Sequence, residues 1–332
     1  MKYIKITKEG RILYLEKSNP RIKKGWAKIK VMSSGLCGSD VTKIFSDKKS
    51  RLRIKENVWG HEFSGIIEDI ERNKCFKRGN RVIIQPLIFD RSKKIVKAKS
   101  IGKEYDGGFA EYALVPITNL IKLPKDVSFD LGALVEVVAV CIHARDLGEI
   151  KKKSKVLIIG DGALGISMAL VSKELCGEVY LKGKNKKNLE VVSRLGIKKF
   201  KNDGEHLSKY DFIFETVGRK QDSTISEAIN FISPRGKIIV LGVFEKDYVN
   251  KLRLRELFFK EASLVGSNCY EGLRDFERAL KLIQKYLNDF DKIITHRIRL
   301  KDFKKALRII KNRDSEVAIK ILFFNEDKLI QR

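Results

Sequence analysis

Two short segments near the start of the chain carry side chains that could hold a metal ion. The sequence GLCGSD at 35–40 presents Cys37, and the sequence GHEFSG at 60–65 presents His61 and Glu62. A thiol, an imidazole and a carboxylate are ligands that zinc accepts where one coordination position must stay open for a substrate. Each type alone is commonplace, since single cysteines and histidines mostly serve packing or hydrogen bonding. Their combination predicts a catalytic zinc site.

A glycine-rich segment, GDGALG at 160–165, follows the apolar run at 156–159 and opens a helical pattern. In a G-x-G-x-x-G segment the first glycine makes a tight turn, the second lets the backbone approach a pyrophosphate, and the third allows close packing of helix and strand. The helix N-terminus then faces the anion. The pattern predicts a dinucleotide site that includes Gly160, Gly162, Ala163, Leu164 and Gly165.

The end of the next strand distinguishes NAD from NADP. Chains that bind NAD carry Asp or Glu there, about 20 residues after the first glycine, to hold the ribose hydroxyls. This chain has Gly183, followed by lysines that include Lys184 and Lys187. A small residue leaves room for a 2′-phosphate, and cations supply its counter-charges. The loop predicts NADP(H), although its lysines also fit the lysine excess of the whole chain.

Two patterns of secondary structure position these segments. Up to about residue 123 the chain alternates β-rich runs with turns, which predicts an antiparallel β domain. From residue 155 strands alternate with helices, which is typical of a parallel, doubly wound sheet. Two amphipathic helices and a strand close the chain. The predicted runs are 22–31, 63–70, 81–86 and 108–115 in the first part, and 273–286, 300–311 and 316–323 in the last.

Over nearly its full length the chain resembles the zinc-containing medium-chain dehydrogenase/reductase family, in particular its alcohol and sorbitol dehydrogenases. Besides the segments above, the match includes DGGFAEY at 106–112 and ITHR at 294–297. The resemblance implies a Rossmann domain at 139–272, inserted into a β-rich GroES-like catalytic domain formed by 1–138 and 273–332. It also implies hydride transfer between a nicotinamide and a secondary alcohol or ketone.

The resemblance assigns further site residues. The segment LVEVVAV at 134–140 looks like the E-P-L-A stretch of the family and adds Glu136 to the metal ligands Cys37, His61 and Glu62. In the catalytic set, Ser39 would pass on the substrate proton, Asp40 would support a ligand, and Glu62 would act beside the metal. Thr216 and Gly242 join the predicted cofactor site.

Four departures limit what the resemblance implies. Between 85 and 106 the chain lacks the four-cysteine cluster of the family's structural zinc, so one zinc ion per chain is expected. Thr42 stands where many members carry a relay histidine, and Val137 replaces the proline beside the zinc-site glutamate. The loop at 266–270 lacks the arginine that sorbitol dehydrogenases place before the tyrosine, so sorbitol itself is not the expected substrate.

Other functions compete with a polyol dehydrogenase. The cofactor half, with GDG at 160–162, Gly183 and ETVG at 215–218, also resembles bacterial ribulose-5-phosphate reductases, so an NADPH-dependent ketose-phosphate reductase is the main alternative. A zinc-free quinone reductase and a basic nucleic-acid-binding protein are more distant ones. The complete ligand set argues against both, because neither needs an open zinc site.

Composition supplies the remaining expectations. With 332 residues and 43% apolar content the chain is long enough for two domains. The net charge is +27, from 69 basic and 42 acidic residues, but the lysines are spread along the chain, which predicts a solvated surface rather than a nucleic-acid partner. Five scattered cysteines favour the cytoplasm. The expected substrate is a small alcohol or ketone, with or without a phosphate group, and no membrane partner is expected. An apolar strand at 262–266 predicts a homodimer or homotetramer.

Overall fold

A computed structural model describes residues 1–46, 57–90, 97–201, 207–218, 220–244, 252–313 and 315–325. Its strands are β1 (Lys2–Ile6), β2 (Ile12–Glu16), β3 (Trp26–Gly35), β4 (Glu62–Ile70), β5 (Arg81–Ile84), β6 (Leu87–Asp90), β7 (Lys97–Ser100), β8 (Tyr112–Pro116), β9 (Leu120–Lys122), β10 (Lys155–Ile159), β11 (Glu178–Lys182), β12 (Lys198–Lys199), β13 (Tyr210–Glu215), β14 (Ile232–Val240), β15 (Ser263–Gly266), β16 (Ile294–Arg299) and β17 (Lys320–Phe324). Its helices are α1 (Gly38–Ile44), α2 (Phe129–Gly148), α3 (Ala163–Lys173), α4 (Lys186–Arg194), α5 (Gln221–Phe231), α6 (Leu254–Phe259), α7 (Leu273–Lys285), α8 (Leu287–Asp291) and α9 (Phe303–Lys311).

The second half of the chain folds into a parallel sheet of six strands in the order β12-β11-β10-β13-β14-β15. Renumbered from β10, this is the order 3-2-1-4-5-6 of the Rossmann fold. The central strand β10 reads KVLII, with Val156, Leu157 and Ile158 fully buried. A strand covered by helices on both faces is expected to be apolar without alternation. The predicted doubly wound sheet is confirmed.

The first half and the tail share a second sheet, in the order β16-β17-β3-β4-β5-β9, with β8 also paired to β3. The tail strand β17 runs antiparallel to β3, and its Leu322 and Phe323 lie opposite Gly35 and Ser34. The end of the chain therefore returns to the strand that leads into the Cys37 segment. The Rossmann sheet is inserted between two parts of a β-rich domain, as the sequence predicted.

Helix α2 is an element that the sequence patterns did not identify. Its segment is apolar nearly all round, so it lacks the one-sided period that marks an amphipathic helix. Ser128 caps its start by accepting a hydrogen bond from the Leu131 N–H at 3.2 Å. A Cβ at Gly132 would lie 2.9 Å from the Cβ of Ser64, so the helix packs closely on β4. It then continues without a break past position 139 toward the Rossmann sheet.

Predicted boundaries shift where turns or long-range pairing intervene. The strand predicted at 22–31 lies at Trp26–Gly35, because a turn with Gly25 at φ +77° precedes it. The strand predicted at 108–115 begins only at Tyr112, because residues 107–109 pair with the turn before His61. Among the helices that the structure describes, none combines the length and the apolar character needed to cross a membrane.

Candidate active site

Three of the four predicted metal-binding residues converge at the junction of α1 and β4. One ligand atom each from Cys37, His61 and Glu62 lies within 4.8 Å of the others. Cys37 precedes α1, and its sulfur accepts hydrogen bonds from the backbone N–H of Ser39 at 3.4 Å and from the Ser39 hydroxyl at 3.2 Å. Both donors can stabilise a thiolate, which is the form of cysteine that binds a metal.

Asp40 contacts two of these residues, Cys37 and His61. Its Oδ2 accepts a hydrogen bond from the Cys37 N–H at 3.2 Å, and its Oδ1 lies 3.8 Å from His61 Nδ1. Burial by itself would lower the pKa of His61, but the negative charges of Cys37 and Asp40 outweigh it and raise that pKa well above its usual range. The surroundings of His61 thus favour positive charge. A donor set of sulfur, nitrogen and oxygen in such a field fits a zinc ion.

The D-G-G-F segment at 106–109 holds the turn that presents His61. Asp106 accepts a hydrogen bond from the Val58 N–H at 2.9 Å, and the N–H groups of Gly107, Gly108 and Phe109 donate to carbonyls of 58–60. Gly60 has φ +92°, and a Cβ there would lie 2.7 Å from the Phe109 ring. The Phe109 ring can therefore pack against this turn only because position 60 has no Cβ.

Lys320 is a site residue that the sequence analysis missed. Its Nζ forms an ion pair with Glu62, both side chains are 1% exposed, and Nζ also lies 3.3 Å from the Leu36 carbonyl oxygen. Burial lowers the pKa of Lys320, but Glu62 raises it further, so the lysine stays charged. A Cβ at Gly35 would overlap Glu62 and approach Lys320 Cε to 2.8 Å, so the pair needs glycine at that position. A single lysine inside the apolar run AIKILFF was the available signal.

Glu136 projects from α2 toward the same pocket. Burial raises its pKa to about 7. The charge of His61 lowers that pKa, and the charge of Glu62 raises it. Its carboxylate is not part of the tight set of three ligand atoms. Cys269 also borders the pocket, since burial and then the negative charges of Glu136 and Cys37 raise its pKa to about 11. Cys269 occupies the position before Tyr270 at which sorbitol dehydrogenases carry arginine.

The glycine-rich turn forms between β10 and α3. Gly160 has φ +126°, and a Cβ there would overlap the Thr216 hydroxyl, which itself donates to the Ile159 carbonyl at 2.8 Å. A Cβ at Gly165 would overlap the Gly160 carbonyl oxygen, whereas Gly162 faces open space at the start of α3. The turn thus leaves an unobstructed backbone cradle at a helix N-terminus, which fits a pyrophosphate. Ala163 and Leu164 form the first turn of that helix.

The remaining predicted cofactor residues border this turn. Gly183 and Lys184 follow β11, and the side chain of Lys184 is exposed. Lys187 donates to the carbonyl of Ser315 at 2.5 Å, so its ammonium group is already engaged by the tail. Gly242 follows β14, where a Cβ would lie 2.6 Å from both the Glu215 carboxylate and the Gly218 nitrogen. All of these positions lie at the carboxyl ends of the parallel strands, where such sheets bind ligands.

Comparison with known families agrees with this geometry. The alcohol dehydrogenase GroES-like domain matches residues 23–125, and the glucose dehydrogenase C-terminus matches residues 130–321. The chain belongs to the zinc-dependent medium-chain dehydrogenases. It is therefore an oxidoreductase of the alcohol and polyol dehydrogenase type, as the sequence resemblance implied.

The relatives include proteins named as polyol dehydrogenases. The chain is 27% identical to galactitol 1-phosphate 5-dehydrogenase of Escherichia coli, over 93% of this chain and 96% of that protein. It is 26% identical to sorbitol dehydrogenase 1 of Saccharomyces cerevisiae, over 96% of both chains. The crystal structure of galactitol-1-phosphate dehydrogenase from Escherichia coli superposes on this chain with a TM-score of 0.87, at 25% identity, over 98% of this chain and all of that one.

Two positions singled out in the sequence lie outside the metal cluster. The hydroxyl of Thr42 donates to the Gly38 carbonyl at 3.0 Å within α1, so it is engaged in the helix. His296 lies on β16 in a surface pocket with Lys187 and Glu316. Its neighbour Arg297 donates to Asp130 at 2.8 Å, which ties the ITHR segment to the start of α2. Arg297 thus contributes to the packing of β16 against α2.

Replacing Lys320 with methionine should destabilise the metal-free protein. Removing one partner of a buried ion pair leaves the other charge unpaired, which costs about 3–5 kcal/mol. The free energy of unfolding, measured by denaturant titration of chelator-treated protein, should fall by that amount and partly recover when Glu62→Gln is added. Lys304→Met, at an exposed position of α9, is the matched control. Equal stability of Lys320→Met and Lys304→Met would contradict the structural role of the pair.

Proposed function

We propose that this chain interconverts a secondary alcohol of a polyol and the corresponding ketone, using one zinc ion and NADP(H). The observation that carries the proposal is the convergence of half-buried Cys37 and His61 with buried Glu62, whose ligand atoms lie within 4.8 Å of one another. Glu136 would complete the ligand set from α2. Zinc would supply a Lewis acid for the substrate oxygen, and the nicotinamide would supply the hydride carrier.

The residues of the chain divide the remaining work. Ser39 is half-buried beside Cys37, with its hydroxyl 3.2 Å from the sulfur, so it can accept the substrate proton and release it toward solvent. Asp40 orients His61 and fixes the Cys37 backbone. Lys320 pairs with Glu62 and holds it in place. Thr42 stands where many members of the family carry a relay histidine, so the proposed proton route leads from Ser39 without one.

A phosphorylated polyol or ketose is the second candidate substrate. The net charge of +27 favours anionic ligands, and galactitol 1-phosphate 5-dehydrogenase acts on a phosphorylated polyol. Cys269 takes the place of the arginine that sorbitol dehydrogenases carry before the tyrosine, at a position whose thiol is affected by the charges of Glu136 and Cys37. A ketose-phosphate reductase, such as a ribulose-5-phosphate reductase, would use the same residues in the reducing direction.

Loss of the metal should abolish activity without unfolding the protein. We expect one zinc per chain by elemental analysis, and oxidation of at least one member of a panel of polyols, polyol phosphates and simple secondary alcohols. Cys37→Ser should lose both zinc and turnover while keeping its circular dichroism spectrum, because zinc loses its sulfur ligand. Cys75→Ser, at an exposed cysteine, should keep both. Two zinc ions per chain, or full activity in Cys37→Ser, would contradict the proposal.

The NADP(H) preference is supported by the loop after β11. Gly183 contributes no carboxylate, and Lys184 is an exposed cation next to it. Since Lys187 is bound to the Ser315 carbonyl, the proposal assigns the counter-charge for a 2′-phosphate to Lys184. The side chain of Lys184 is exposed to solvent. Its contribution to cofactor preference therefore depends on a contact with the 2′-phosphate itself.

Lys184→Ala should therefore lower kcat/KM for NADPH about tenfold and leave that for NADH nearly unchanged. A charge-assisted hydrogen bond contributes ~1.5–3 kcal/mol, and tenfold discrimination requires only ~1.4 kcal/mol. Steady-state kinetics with both cofactors at physiological salt measure the ratio, with Lys199→Ala, at an exposed residue of β12, as control. A wild-type enzyme that uses NADH as efficiently as NADPH would refute the preference.

A homodimer or homotetramer is proposed from the edge of the Rossmann sheet. Among the strands that the structure describes, β15 pairs with β14 alone, so its outer edge is open. The neighbouring helix α6 exposes three large apolar side chains, Leu254, Phe258 and Phe259, at 61%, 76% and 69%. An exposed edge next to exposed apolar side chains is typical of a surface that pairs with a second copy.

Phe258→Glu combined with Phe259→Glu should convert the oligomer into monomers, because charged side chains would have to be buried at the interface. Sedimentation velocity measures the state. Leu207→Glu changes a leucine that is 60% exposed elsewhere on the same domain and should leave the assembly intact. A wild-type protein that sediments as a monomer at micromolar concentration would overturn the proposal.

Three further points complete the proposal. The catalytic domain comprises residues 1–138 and 273–332 and the Rossmann domain residues 139–272, a division supported by the two sheets. Location in the cytoplasm is supported by five cysteines that are all free of disulfides. The substrate is a small molecule, without a nucleic-acid or membrane partner.

A further inference from the structure

The space beside Gly183, where chains that bind NAD carry their ribose-binding carboxylate, is filled by another residue. A Cβ built on Gly183 would lie 2.5 Å from both the Cβ and the Oδ2 of Asp161. Asp161 is the second residue of the glycine-rich turn, 22 positions earlier in the chain. The sequence has no carboxylate at the end of β11, but the Asp161 carboxylate from the preceding turn lies at that position.

The Asp161 carboxylate is fixed at that point. Its Oδ2 accepts hydrogen bonds from the backbone N–H groups of Lys184 and Asn185, both at 2.7 Å. The Asp161 carbonyl accepts a third bond from the Asn188 amide at 3.0 Å. Among the described residues, none donates a hydrogen bond to Oδ1. One oxygen therefore anchors the loop after β11, and the other is left to accept hydrogen bonds from a ligand.

The charge of this carboxylate distinguishes the two cofactors. Ribose 2′- and 3′-hydroxyls can donate hydrogen bonds to it, as they do to an acidic residue at the end of the second strand in NAD-binding sheets. A 2′-phosphate carries nearly two negative charges at neutral pH, so it would be repelled by the carboxylate. It would also compete for the N–H groups of Lys184 and Asn185, which Asp161 already occupies.

We infer that Asp161 is a specificity-determining residue that recognises the ribose hydroxyls of NAD(H) and opposes the binding of a 2′-phosphate. The inference rests on the proposed dinucleotide site. Asp161 and Lys184 act on the same substituent in opposite directions, so the cofactor preference of the enzyme is the balance between them. Substitution of Gly183 by aspartate is a poor test of that preference, because the new side chain would collide with Asp161.

The test is Asp161→Asn, which removes the charge but keeps an oxygen that can accept hydrogen bonds from Lys184 and Asn185. Isothermal titration with 5′-AMP and 2′,5′-ADP measures binding without catalysis. The ratio of the affinity for 2′,5′-ADP to the affinity for 5′-AMP should be at least tenfold higher in the variant than in wild type. Fluorescence titration with NADPH and NADH should show a shift in the same direction. A purely structural role would weaken the binding of both nucleotides together.

Asp211→Asn is the matched control. Asp211 also accepts a backbone hydrogen bond, from the Lys155 N–H at 2.8 Å, but it lies at the opposite end of β10 from the glycine-rich turn. It should leave the ratio of the two affinities unchanged. Asp161→Ser provides a second neutral variant in case the asparagine side chain binds the phosphate directly, and it should shift the ratio in the same direction.

The outcomes separate this inference from the proposed function. A ratio within twofold of wild type in both Asp161 variants would overturn the role of Asp161. If wild type binds both nucleotides and the variants shift the ratio, but no polyol is oxidised, the inference stands and the proposed substrate class fails. If wild type binds neither nucleotide at millimolar concentration, both the dinucleotide site and the role of Asp161 are overturned.

Discussion

The buried ion pair between Lys320 and Glu62 connects the two ends of the chain at the metal pocket. Glu62 begins β4 and lies next to Cys37 and His61, so its charge must be balanced where water is nearly excluded. The balancing cation comes from β17, more than 250 residues later in the chain. The tail returns to β3, and the Rossmann sheet forms in the part of the chain between the two partners of the ion pair. The division of the catalytic domain and the chemistry of the site depend on the same contact.

The sequence predicts the parts of the site whose geometry is set locally. In the turn at 160–165, a Cβ at Gly165 would overlap the Gly160 carbonyl oxygen of the same turn, whereas the clash at Gly160 involves Thr216, which follows β13. The motif itself, between an apolar strand and a helical pattern, is nevertheless recognisable from the local sequence. The turn with His61 and the D-G-G-F segment are likewise recognisable as motifs. The family and the Rossmann sheet follow from such local patterns together with the alternation of strands and helices.

Contacts between distant segments were not predictable in this way. Lys320 is one of many lysines, and only its burial distinguishes it from those on the surface. Asp161 was expected only as a variable position within a motif, because its contact with the loop after β11 is set by the way the two strands lie side by side. Helix α2 lacks a polar face, so no period marks it. Each of these features depends on tertiary packing rather than on the neighbouring sequence.

Helix α2 also constrains how the two halves of the enzyme can move. Near its start Ser64 and Asp130 hold it to the β-rich domain, and near its middle the Cys141 thiol lies 3.6 Å from the Leu164 carbonyl of the cofactor-binding helix. Bending such a rod would break its internal hydrogen bonds. The other crossover, between β15 and α7, is a loop in which Cys269 has φ +61°. A rotation of one half against the other would thus pivot about the axis of the rod, with the loop taking up the displacement and carrying Cys269 toward or away from the metal pocket.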